Sequence, residues 1–245
     1  MLAYREIPGG GAPLVFIHGL GCVSTMEYAG VAERPALAGR RMFLADLLGA
    51  GASAAPAGFA YTVEAHAECV AAWIGSLGLE DVDLFGHSAG GAVSIVAARL
   101  CPRVRRLVVA EPNLDPGGGV FSLRIAQYTE DEFADRGHKC LVRASRIEGN
   151  LRWAETLETC WPRAVHRLAV SLVRGSEPSW RAQLLSLRIP RTVVAGERSL
   201  PDPAAESLAA AGLPLRIVPA AGHSMAWENP RGLAETIRDA LDPAA

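Results

Sequence analysis

The stretch "FGHSAGG", residues 85–91, constrains this chain more than any other. It contains Gly-x-Ser-x-Gly, with Gly86, Ser88 and Gly90. Ahead of it, "VDLFG" (82–86) is a short apolar run of strand character. Behind it, "SAGGAVSIVAARLC" (88–101) has the composition of a helix, stopped by Pro102. A strand that turns into a helix so abruptly strains the backbone at the serine. It also demands small neighbours, because strand and helix pass close together. The serine then projects from the turn at the positive end of the helix dipole, where a nucleophile is well placed.

Further strands are predicted at "LVFIHG" (14–19), "RMFLAD" (41–46), "VRRLVVA" (104–110), "RTVVAG" (191–196) and "LRIVPA" (215–220). Between them lie helical patterns. Residues 62–77 repeat apolar positions at helical spacing (Val63, Ala67, Val70, Trp73, Ile74, Leu77), and Gly78 closes the run. Residues 230–241 form an amphipathic helix with Pro230 at its start. Strands alternating with helices predict an α/β fold with a mainly parallel central sheet flanked by helices. Residues 113–188 break the alternation. They hold no strand pattern, a capping box in "TEDE" (129–132), and helical spacing in "LRWAETLETCW" and "AVHRLAVSLVRG". The expected organisation is therefore a core of 1–112 and 189–245 with a helical cap, 113–188, inserted between two strands.

Composition removes several functions. Half of the 245 residues are hydrophobic and the formal net charge is -2, which suits one α/β domain and gives no basic face for nucleic acid. "MLAYREIPGGG" has no basic start followed by an apolar run, and no apolar stretch is long enough to span a bilayer, so neither a signal peptide nor a membrane anchor is expected. Five scattered cysteines (Cys22, Cys69, Cys101, Cys140, Cys160) without Cys-x-x-Cys spacing suggest reduced thiols in a cytoplasmic protein, with neither a disulfide framework nor a metal site. "GAGASA" (49–54) fits a dinucleotide fingerprint, but Pro56 and Gly58 interrupt the helix it needs, so no cofactor is expected. A monomer or homodimer is the default assembly.

A serine hydroxyl needs a base, and His223 in "PAAGHSMAWENP" (219–230) follows it in chain order, in a glycine-flanked loop after the last strand. His66, His138 and His166 lie in helical patterns and read as surface or cap residues, and His18 as a structural hydrogen-bonder. Donors for an oxyanion are expected from the backbone N–H groups of Ala89, next to the nucleophile, and Leu20, in "HGLG" (18–21). Gly19 lets that loop approach, and Cys22 stands beside it. "FIHGLG", "ADLLGAGAS" (45–53), "GHSAGG" and "AGHSMAWENP" together resemble the α/β-hydrolase superfamily, in the same order and over nearly the whole chain. The resemblance implies the α/β-hydrolase fold and a serine-nucleophile hydrolase. It is weak for the substrate, since this fold hosts many reactions.

The acid of the triad is the open question. In most members of the superfamily it follows the strand after the cap, in a Gly-x-x-Asp pattern. Here that position reads "GERS", with Ser199 in place of the aspartate. Glu111, directly after the strand that follows the nucleophile helix, is the leading candidate. Certain members, zearalenone lactonases among them, place their acid there. Asp202, Glu197 and Asp115 are the alternatives. Trp153 and Trp161 are expected to wall the substrate pocket, with Phe121, Leu123, Tyr128 and Trp180 as further apolar or aromatic candidates. The expected activity is cleavage of a small or medium, largely apolar carboxylic ester or lactone through an acyl-enzyme. A carbon–carbon bond hydrolase or acyltransferase using the same residues, or a ligand-binding relative with little turnover, are the alternatives.

Overall fold

A computed structural model describes residues 1–242. Seven strands form one sheet: β1 Tyr4–Ile7, β2 Gly10–Ile17, β3 Arg40–Ala45, β4 Val82–His87, β5 Val104–Ala110, β6 Arg191–Gly196 and β7 Leu215–Val218. Their order is β1-β3-β2-β4-β5-β6-β7, all parallel except β1, which runs antiparallel to β3. Apart from β7, which forms the far edge with Arg216 and Ile217 exposed, the apolar runs read from the sequence are the inner strands. Both faces of those strands are covered, so alternate residues enter two cores: Leu14 and Phe16 on one side of β2, Val15 and Ile17 on the other. The edge strand β1 escaped sequence reading because Tyr4, Arg5 and Glu6 are exposed and give it no apolar pattern.

One face of the sheet is anchored by an aromatic cluster of Phe16, Tyr28 and Phe85, with ring centroids 5.0–5.6 Å apart. Tyr28 follows the short helix α1, Ser24–Glu27. The other face is covered by α2, Val63–Ser76, and α3, Ala89–Leu100. Thr62 caps α2 by accepting from the Ala65 N–H, a contact that contributes about 1 kcal/mol.

Between β5 and β6 every regular element is helical: α4 Val120–Ala126, α5 His138–Ile147, α6 Leu151–Glu158, α7 Pro162–Arg174 and α8 Trp180–Ser186, with α5 preceded directly by a helical turn Glu130–Glu132 and a π-helical Phe133–Gly137. The capping box forms as expected, Thr129 Oγ1 accepting from Glu132 N–H while the Glu132 carboxylate accepts from Thr129 N–H. His138 and His166 are buried rather than on the surface, because each ring donates to a backbone carbonyl inside this block, Leu157 and Tyr128 respectively. His66 is buried too, packed against Phe59 and Tyr61. After β6 the chain adds α9, Pro203–Ala210, capped by Asp202, and α10, Pro230–Leu241, capped by Asn229.

Candidate active site

Ser88 sits between β4 and α3 with φ 53° and ψ −120°. A non-glycine residue there is strained, and close packing holds it. A side chain on Gly90 would run into the carbonyls of Ile17 and His18, and one on Gly91 would lie 2.6 Å from Pro112. The Ser88 N–H donates to Ala110 at 2.9 Å, tying the turn to the end of β5.

One residue beyond the end of β5, Glu111 also has a positive φ, 39°. Its N–H donates to Val194 on β6 at 2.9 Å. Its Oε1 accepts from Gly196 N–H at 2.9 Å, and Oε2 meets His223 Nδ1 at 2.6 Å. Burial alone would push this carboxyl up. Hydrogen bonds from His223 and Gly196, the charge of His223 and the Ser199 hydroxyl outweigh it and hold the pKa down at about 2. Ser199, in the expected acid position, thus helps to keep Glu111 ionised. The other acids are engaged elsewhere. Asp202 caps α9, Glu197 accepts from Ala220 N–H at 2.7 Å, and Asp115 is gripped by Arg181.

With Nδ1 occupied by Glu111, the free nitrogen of His223 is Nε2. Ser88 and His223 line one cavity of about 410 Å³. No hydrogen bond joins them among the described residues; such bonds often tighten only when substrate binds. His18, by contrast, spends both nitrogens on backbone groups: Nδ1 on Gly19 carbonyl at 2.8 Å, and Nε2 on Leu47 N–H, in the loop after β3, at 2.9 Å.

Gly19, Leu20, Cys22 and Trp153 line the same cavity. A side chain on Gly19 would lie 3.3 Å from Ser88 Cβ, so glycine permits the loop's close approach. Among the described residues, neither Leu20 N–H nor Ala89 N–H has a protein acceptor. Trp161 is a correction. It precedes Pro162 at the start of α7, its N–H bonds Gly49 carbonyl at 2.7 Å, and its ring packs on Tyr61 at 5.4 Å. That docking turns it away from the cavity. Trp180 is likewise buried outside it, with Nε1 on Glu64, and Leu123 and Tyr128 do not line it. Phe121 does, stacked on Trp153 at 4.2 Å between ring centroids.

Two contacts had no sequence signal. Trp153 Nε1 donates to Leu20 carbonyl at 2.9 Å, and the Thr156 hydroxyl donates to Gly21 carbonyl at 2.9 Å. Helix α6 therefore clamps the 19–22 loop across more than 130 residues of sequence. Glu27, His87 and Trp227 also line the cavity; no lysine or arginine does among the described residues.

A model of the alpha/beta hydrolase family matches residues 14–236. The chain belongs to that family. Over 103 residues this alpha/beta hydrolase is 39% identical to a 2-hydroxy-6-oxo-2,4-heptadienoate hydrolase of Pseudomonas putida, a match covering 41% of the chain and 37% of that protein. A dihydrolipoyllysine-residue acetyltransferase component of an acetoin cleaving system, from Pseudomonas putida, is 28% identical over 93% of the chain and 63% of its own length. The chain thus spans less than two thirds of the length of the curated relatives it matches. An esterase from Thermogutta terrifontis shares its fold with a TM-score of 0.78 at 24% identity, covering 98% of this chain and 92% of that one. The N-acyl homoserine lactonase AidH does so with a TM-score of 0.71 at 22% identity, covering 100% and 95%. No helix among the described residues is long and apolar enough to cross a membrane.

Proposed function

We propose that this hydrolase cleaves small to medium carboxylic esters or lactones through an acyl-enzyme, with Ser88 as nucleophile, His223 as general base and Glu111 as the acid that orients it. The observation that carries this reading is the pairing of Glu111 Oε2 with His223 Nδ1 beside the cavity that Ser88 enters. Ser88 Oγ attacks the carbonyl carbon while His223 Nε2 takes its proton. Glu111 stabilises the imidazolium that results. The N–H groups of Leu20 and Ala89 receive the oxyanion. His223 then protonates the leaving alcohol, and water, deprotonated by the same nitrogen, releases the acid. Helices α4 to α8 act as the cap, with Phe121 and Trp153 as apolar walls.

A second reading, carbon–carbon bond hydrolysis, draws on the relative whose name specifies a heptadienoate. A heptadienoate is a carboxylate, and among the described residues no lysine or arginine lines this cavity to receive one, which favours the ester reading. The test is a fluorophosphonate probe together with turnover of esters, lactones and vinylogous diketones. Ser88 should be labelled and esters or lactones turned over fastest. Absence of labelling in folded protein, or turnover of diketones alone, would overturn the proposal.

A further inference from the structure

Beside Ser88 the cavity wall holds two buried ionisable side chains that the acyl-transfer steps do not use. Glu27, the last residue of α1, is 2% exposed, and His87, immediately before the nucleophile, is 6% exposed. Glu27 Oε1 lies 3.4 Å from His87 Nδ1, close enough to attract but not aligned as a hydrogen bond. Among the described residues, Glu27 Oε2 and both ring nitrogens of His87 have no hydrogen-bond partner. The thiol of Cys22 and the hydroxyl of Tyr28 are near enough for Glu27 to help raise their pKa values, yet neither bonds Oε2.

Three unpartnered polar atoms at one place in a mostly apolar cavity are unusual, since buried polar groups are normally satisfied. The pair is also next to the chemistry. A side chain on Gly19 would touch both Ser88 Cβ and His87 Nδ1, and the ring centroid of His87 lies 4.6 Å from that of His223, the two planes tilted by 47°. A group held by this pair therefore sits close to the carbonyl under attack.

We propose that Glu27 and His87 form a polar subsite, and that the ester accepted by this site carries a neutral hydrogen-bond donor, a hydroxyl or an amide N–H, on its α or β carbon. This rests on the ester-hydrolase reading and specifies its substrate class. The donor requirement follows from the geometry of the pair: Glu27 Oε2 is a buried carboxyl oxygen without a partner, and such an oxygen accepts. An anionic substituent is disfavoured, because Glu27 and Glu111 both line the cavity and no lysine or arginine does. A neutral donor is preferred over a cation because His87 faces the same carboxylate. Burial opposes charge on that ring, but Glu27, Glu111 and the His223 backbone outweigh it and raise its pKa.

The test compares ethyl esters of butanoic, 2-hydroxybutanoic, 3-hydroxybutanoic and 2-acetamidobutanoic acids on wild type, Glu27→Gln and Glu27→Leu, with fluorophosphonate labelling of Ser88 alongside. Wild type should prefer at least one donor-bearing ester over ethyl butanoate by about tenfold or more in kcat/KM. In Glu27→Leu that ratio should fall to within about twofold, while Glu27→Gln, whose amide oxygen still accepts, should keep more of it. Each ratio is taken within one protein, so a general loss of activity does not disturb it, and the wild-type ratio stands even if a variant misfolds. Labelling and ester turnover without a preference, or a preference that survives in folded Glu27→Leu, would overturn the subsite alone. No labelling and no turnover would overturn the hydrolase reading and the subsite with it.

Discussion

Glu111 and His223 lie 112 residues apart in sequence and meet at 2.6 Å between Oε2 and Nδ1. The carboxylate reaches the ring from β5, while Ser199, beyond β6, stands where the superfamily more often keeps an aspartate. Under the proposed function this exchange relocates the charge across neighbouring strands, and it can be tested from both ends.

Replacing Glu111 with glutamine keeps the shape and removes the charge that stabilises the imidazolium. We expect kcat to fall by about 10²- to 10⁴-fold, with slower fluorophosphonate labelling of Ser88. Steady-state kinetics on a folded Glu111→Gln protein checks it. Unchanged kcat would rule out Glu111 as the acid.

Ser199 lies near enough to the Glu111 carboxylate to help hold its pKa down, so a carboxylate at 199 starts close to the same histidine. Adding Ser199→Asp to Glu111→Gln should recover about tenfold or more of the lost kcat. A folded double variant no faster than Glu111→Gln alone would refute this.

The depressed pKa of Glu111 also makes a prediction about stability. The native state favours the ionised carboxylate, so its contribution is fully present above the ordinary value of about 4.5 and is lost as pH falls towards about 2. The Tm advantage of wild type over Glu111→Gln should be constant near neutral pH and shrink across that acid window. Thermal melts at a series of pH values measure it; a gap that widens on acidification contradicts the assignment.

Thr156 touches the 19–22 loop but not the cavity. Thr156→Val removes its bond to Gly21 carbonyl with little change of volume. If that bond sets the loop for the oxyanion, kcat should drop by about tenfold with KM within about twofold. A boronic acid, which forms a tetrahedral adduct on Ser88, should lose affinity in parallel. Equal losses in kcat and protein stability, with the boronic acid unaffected, would mark the contact as merely structural.

Gly90→Ala tests the elbow itself. Its new methyl group would meet the carbonyls of Ile17 and His18, overpacking that costs about 3 kcal/mol. For a chain of this size Tm should fall by roughly 6–12 °C. A melt within a degree or so of wild type would show that the strand and helix have room to part.

Local features were legible in the sequence because local chemistry makes them. The turn at Ser88 follows from glycines at 86 and 90 between an apolar strand and a helix. The capping box at Thr129 follows from side chains that bond their own neighbours. The inner strands follow from burial on both faces. Where a residue's partner lies far along the chain, only the tertiary structure decided. Pairing of Ala110 with Val194 brings Glu111 beside Gly196 and within reach of His223. Docking of α6 sends Trp153 into the cavity and Thr156 onto Gly21, while the bond to Gly49 holds Trp161 outside. Periodicity records which face of an element is buried; it carries no record of what that face is buried against, and the acid, the loop clamp and the cavity wall all depend on that.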